Sequence, residues 1–441
     1  MTNLEFMRET LAGIKLFDVH THIKATNPSA RGLHDILLYH MVISDLYSAG
    51  CPSGNRLDDN AGEAEIERRI IEAIPFIPYI QNTSCYYVMN IILKELYDWD
   101  RPITLENWRE LDAVIKGFGS DKARAYEVMD KAGIAKSNTE ICRRFDGSLD
   151  DRFTYSLEWS FFTRAQWGVY DTALFELEYA YNCDGPQDPL PVTCKQSDYN
   201  FEKKINSIDD IKLAIAHYID KTPFDTNLIF VTSHITTVIN WRLGVTDAEM
   251  TEAIKNRANA GEYERDLYAC YIFEKFLDEY AARGIKTPLA FSIGAEPLPY
   301  ETGSIMREET ILEIASIIEQ YPGITFCFSV SNMAQNQAFC TLCRELPNVV
   351  LTGYWWHNFF VSFIEKVLCE RLDMVAANKQ VGFFSDAYCM EWAYAKARLV
   401  KETTAKVLAD RIDAGMYTRE SAAFIAAQIL RDGPLKLVGL Q

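Results

Sequence analysis

The chain has 441 residues, 48% hydrophobic and 24% charged, with a formal net charge of −18. That length suits one large α/β barrel with insertions, or two or three ordinary domains. The acidity argues against nucleic acid or an anionic membrane surface as a partner, and no apolar run of about 18 residues offers a bilayer span.

The opening residues, MTNLEFMRETLAGIKLF, lack the basic start, apolar core and cleavage site of a secretory signal. Eleven cysteines are scattered through apolar segments and read as small core hydrophobes of a reducing compartment. A cytoplasmic location is therefore expected. Cys340 and Cys343 have CxxC spacing, but no partner pair and a helical setting, which points to packing rather than to zinc or redox chemistry.

In chain order, residues 1–15 predict a leading helix and 16–20 a first strand, which runs into His20-Thr21-His22. On a strand, i and i+2 side chains share a face, so both imidazoles can reach one divalent ion. With seven histidines in the chain, chance supplies about 0.1 such triplets, which favours a metal pair over surface histidines. Residues 34–47 predict a helix carrying His40 on a broadly apolar face, where a lone histidine is commonly a core residue. From 41 to 135 the pattern is helical, including 63–74, 86–96 and 105–118, the last opened by Thr104 as N-cap. This predicts a large helical insertion after the first strand, a lobe within a single 1–441 barrel domain.

Beyond it, apolar β-branched runs alternate with helical ones. Predicted strands are 137–142, 154–160, 228–234, 288–294, 325–331, 349–356 and 381–386. Predicted helices are 208–219, 248–283, 308–320, 335–346, 361–376 and 391–414. With the first strand this makes eight strand–helix units, as a closed (β/α)₈ TIM-type barrel requires. An open doubly wound sheet is the alternative, without a GxGxxG or P-loop to support it.

In a barrel, function collects where strands end. Those ends carry His20 and His22, Glu158, His234, Glu296, Asn332, Trp355-Trp356-His357 and Asp386. Asp386 completes a His₂Asp set with open positions, as a catalytic divalent site needs; alone it also suits a helix N-cap. His234 is a fourth ligand, a substrate contact or a loop histidine. Trp355 and Trp356 suit barrel packing or a platform for a sugar ring.

FDVHTHI at 17–23, LLYHM at 37–41, GYWW at 353–356 and FFSDAY at 383–388 together resemble the uronate isomerases, (β/α)₈ members of the amidohydrolase superfamily. The resemblance covers essentially the whole chain. It implies one divalent ion, zinc or manganese, on His20, His22 and Asp386. It also implies a small sugar-like substrate, a homo-oligomer, and aldose–ketose isomerisation of hexuronates through an enediol. Asp386 would carry the proton and His40 would stand near the substrate.

Several positions depart from the family's pattern. Met41 replaces the tyrosine after the helix histidine, while Tyr388, Glu158 and Asn332 occupy positions of substrate-binding arginines. Losing bidentate arginines and gaining carboxylates predicts weak binding of D-glucuronate. The first reading is a metal-dependent sugar isomerase, with Glu158, Asn332, Trp355, Trp356 and Tyr388 around the substrate and Asp386, His40 and His234 in catalysis. The second is a metal-dependent hydrolase of a lactone, ester or amide, with Asp386 as base. A non-catalytic sugar-binding relative is a third.

Overall fold

A computed structural model describes residues 1–140, 149–158, 170–183, 199–225, 227–297, 302–304, 306–354 and 360–441. Eight parallel strands form one sheet in strict chain order: β1 (Leu16–Asp18), β2 (Ile134–Glu140), β3 (Phe153–Glu158), β4 (Leu228–Ile235), β5 (Leu289–Ile293), β6 (Phe326–Val330), β7 (Val349–Thr352) and β8 (Gln380–Val381). The order never reverses, so the doubly wound alternative fails. The ends of the sheet meet instead: the Asp386 N–H donates to the His20 carbonyl at 3.0 Å, and the His22 N–H to the Ala387 carbonyl at 2.8 Å. The fold is a (β/α)₈ barrel.

Alternation along the strands explains the core. On β3, Phe153, Tyr155 and Leu157 are buried among apolar neighbours, while Thr154 and Ser156 belong to a polar set. There the Asn138 amide donates to Ser156 Oγ at 2.9 Å, and Thr154 Oγ1 donates to Asn138 Oδ1 at 3.4 Å. This polar layer is why β2, with Lys136-Ser137-Asn138-Thr139, carries so faint an apolar signal. The strand starts at Ile134, earlier than the predicted 137. Phe17, Val19, Phe230, Cys327, Val350 and Phe384 form a small apolar cluster of their own.

Two predicted helices are broken. Residues 34–47 form Leu33–Leu37 and His40–Ser48, because Tyr39 is extended, with φ −62° and ψ 139°. Its ring stacks on Trp392 at 4.3 Å and its hydroxyl reaches the Asp386 carbonyl, contacts a continuous helix would not serve. Residues 248–283 divide into Asp247–Lys255 and Glu262–Ala282, with extended Gly261 at the start of the second. The helix predicted from 105 begins at Trp108, preceded by a turn in which Thr104 Oγ1 accepts the Glu106 N–H. The eighth strand is short because the Gly382 N–H is taken by the Ile429 carbonyl at 2.6 Å. A two-stranded hairpin, Ala295–Pro297 with Thr302–Ser304, follows β5.

Cys340 and Cys343 are fully buried free thiols, as a packing role requires. Among the described residues no helix is long and apolar enough to cross a membrane.

Candidate metal centre

β1 ends at Asp18, short of the predicted 20, and His20 and His22 follow just beyond it, at the mouth of the barrel with Asp386. One nitrogen from each imidazole and one carboxylate oxygen all lie within 4.8 Å of one another. Asp386 Oδ1 is 3.3 Å from His20 Nε2 and 3.0 Å from His22 Nε2. Ligands of a tetrahedral divalent ion stand about 3.3 Å apart, so these separations fit one. Oδ1 is also buried, its nearest polar neighbours the two imidazole nitrogens, so that a cation among the three would satisfy it. Burial opposes ionisation of Asp386, but the two adjacent imidazoles outweigh it and hold the carboxyl well below its ordinary range. No other group of three or more potential ligands occurs among the described residues.

Beside this trio opens a cleft of about 190 Å³, whose lining includes the rings of His22, Tyr39, His40 and Tyr388, the cations Lys24, Arg31 and Arg56, and the acids Asp35, Asp58 and Asp59. Tyr388 stacks on the His22 ring at 4.8 Å, and the Arg56 guanidinium lies over Tyr388 at 4.2 Å. Arg31 grips Asp35 through a two-pronged pair at 2.9 and 2.8 Å. Arg56 and Lys24 share Asp59, at 2.8 and 2.9 Å. The loop carrying Arg31 is anchored from behind, where Glu391 accepts the Ala30 N–H at 2.9 Å and the Tyr97 hydroxyl at 3.0 Å.

His40 stands at the cleft wall against Tyr39 and Tyr388, with centroids 4.4 and 5.1 Å away. Burial pushes its pKa down to about 3, so the ring is neutral at physiological pH; one edge stays open to the cleft. An unfolded histidine takes a proton near 6.5, so this ring stabilises the fold fully above that pH. The contribution is lost as pH falls towards 3. Urea unfolding of the protein should therefore weaken between pH 6.5 and 3 more steeply than that of His40→Gln; parallel profiles would contradict this.

The other expected residues fall in different places. By alternation His234 shares the face of Phe230 and Thr232, which line the barrel interior, so it stands exposed at the end of β4; it joins neither the trio nor the cleft wall. Glu158, last on β3, follows Thr154 and Ser156 to the same rim. Asn332 acts as a cap: its Oδ1 accepts the Ala334 N–H at 3.0 Å. The Glu296 side chain and Trp355, Trp356 and His357 lie outside the described residues. Met41 is buried in the apolar core. Sequence reasoning missed Tyr39, Lys24, Arg31 and Arg56. The three cations sit in aperiodic loops; RGLHD and GNRLDDN show Arg31 and Arg56 beside the acids they pair with, whereas Lys24 is 35 residues from its partner Asp59.

The sequence matches no known protein-family profile and no curated protein. The structure is similar to a uronate isomerase from Thermotoga maritima, with a TM-score of 0.75 at 11% identity over 99% of this chain and 97% of that one. It is equally similar to a glucuronate isomerase from Caulobacter crescentus, with a TM-score of 0.75 at 11% identity over 100% and 94%. A Lactobacillus casei protein assigned as a metal-dependent hydrolase follows, with a TM-score of 0.57 at 14% identity over 98% and 97%. The chain thus has the fold of the isomerases its motifs resemble, along its whole length.

Proposed function

We propose that this protein is a metal-dependent sugar isomerase that interconverts the aldose and ketose forms of a hexuronate or a closely related sugar acid. One observation carries the reading: His20, His22 and Asp386 converge at the barrel mouth, beside a cleft that holds His40 and Arg56. A divalent ion on that trio, zinc or manganese, would supply Lewis-acid polarisation of the sugar's carbonyl and hydroxyl oxygens. Asp386 takes the C2 proton as the electron pair moves to form the enediol, exchanges it with solvent while the enediol lasts, and delivers a proton to C1 as the C2 carbonyl forms. His40, a neutral imidazole able to accept at one nitrogen and donate at the other, moves the hydroxyl proton from O2 to O1. In place of the strand-end arginines whose loss predicted weak uronate binding, Arg56 binds the sugar carboxylate, exchanging its tie to Asp59 for a charge-assisted pair. Its place on Tyr388, itself stacked on His22, suits a chain of six carbons, which spans about 6 Å.

A second reading, hydrolysis of a lactone, ester or amide, draws on one observation. The Tyr39 hydroxyl is engaged with the Asp386 carbonyl and is not free to carry protons in the cleft. The two readings separate on a substrate panel with metal-loaded protein. Ketose from D-glucuronate or D-galacturonate supports the isomerase; acid release from lactones or esters without ketose replaces it. Arg56→Met should raise KM for a uronate about 10–100-fold, with little change for the matching neutral aldose. An equal change for both sugars would remove Arg56 from carboxylate recognition.

A further inference from the structure

Asp386 is one of two non-glycine residues among those described with positive φ, at 55°. An aspartate is held in that left-handed conformation only where the surroundings fix the turn. Three bonds come from the first strand and its extension. The Ser385 N–H donates to Asp18 Oδ1 at 2.8 Å, the Asp386 N–H to the His20 carbonyl, and the His22 N–H to the Ala387 carbonyl. Two carbonyls remain. That of Asp386 accepts the Tyr39 hydroxyl at 2.7 Å, and that of Ser385 accepts the ammonium of Lys396. Lys396 also donates to Tyr39 Oη at 3.0 Å, so the phenol is fixed as a donor towards Asp386.

Lys396 lies on the long helix Met390–Asp413 and is 0% exposed; Tyr39 is 3% exposed. Enclosing an ammonium is unfavourable unless it is paired and hydrogen-bonded, and an apolar side chain fills such a place more readily. The metal-site reading already uses His20, His22 and Asp386, and nothing in it requires a lysine here.

We propose that Lys396 is a positioning residue for the metal centre: through the Ser385 carbonyl and Tyr39 it clamps the left-handed turn that aims the Asp386 carboxylate at His20 and His22. The clamp rests on the metal-site reading, and one experiment separates the two. Cobalt(II) is titrated into metal-free full-length protein and followed by its visible absorption, for the parent chain, Lys396→Met and Tyr39→Phe. Supporting residues around metal ligands are typically worth 10–100-fold in affinity. Lys396→Met should weaken cobalt binding by about that factor and shift the visible bands, and Tyr39→Phe should do so to a lesser degree. Tyr39→Phe removes only one oxygen, so it serves if Lys396→Met does not fold. Parent-like affinity and bands in the folded variants would overturn the clamp. A parent protein that binds no cobalt would overturn the metal site and the clamp with it.

Discussion

Asp386→Asn is expected to strip the protein of its divalent ion and to lower turnover by about 10³-fold or more, with the fold intact. The amide keeps the size of the carboxylate but not its charge. Its NH₂ group can donate to the imidazole nitrogens now 3.3 and 3.0 Å from Oδ1, satisfying them without a cation. The turn itself is held by backbone groups: His20 and Ala387 carbonyls, the Ser385 and Asp386 carbonyls, and their partners Tyr39 and Lys396. The substitution therefore removes the ligand and leaves its scaffold. Elemental analysis after dialysis, beside far-ultraviolet circular dichroism, checks it. A variant that retains one equivalent of metal and full turnover would show that Asp386 is not the third ligand.

The largest effect on stability is expected at Gly353. Its φ of 56° suits glycine, and a Cβ there would meet Phe384 Cβ at 2.5 Å. Its own groups are committed, with the N–H donating to the Val381 carbonyl at 2.7 Å and the carbonyl accepting from Arg371 Nη1 at 2.6 Å, so the backbone cannot swing away. Gly353→Ala should cost about 2–4 kcal/mol of unfolding free energy. Because Phe384 backs His20 at 4.6 Å, metal affinity should fall as well. Gly323→Ala, with open space around its Cβ, is the matched control and should be near neutral. Equal urea midpoints for the two variants would contradict the argument.

How legible the molecule was depended on whether a feature leaves a local pattern. His20 and His22 are separated by one residue after an apolar run, and strand geometry alone puts them on one side. Asp386 closes another apolar run, although its left-handed turn has no signature: nothing in FFSDAY announces positive φ. Most of the strands were readable because each lies in a short apolar run. β2 was faint because its Asn138 bonds sideways within the barrel to Ser156 and Thr154, a contact between strands 16–18 residues apart. The break at Tyr39 was invisible because amphipathic spacing continues across it, and its causes, Trp392 and Asp386, lie some 350 residues away in the chain. The cations of the cleft were lost for the same reason. Alignment of strand ends asks where the family's arginines stood, and Arg56 reaches the cleft from the stretch between β1 and β2 instead.

The proposed isomerisation requires proton transfer on a sugar at the His20–His22–Asp386 centre. Its most direct test is proton NMR of metal-loaded protein with D-glucuronate and D-galacturonate in D₂O. The ketose formed should carry deuterium at C1, and recovered aldose should gain deuterium at C2 with time. Both signals should vanish in Asp386→Asn. Metal-replete protein that leaves the C2 proton of every uronate untouched, while opening a lactone or ester, would contradict it.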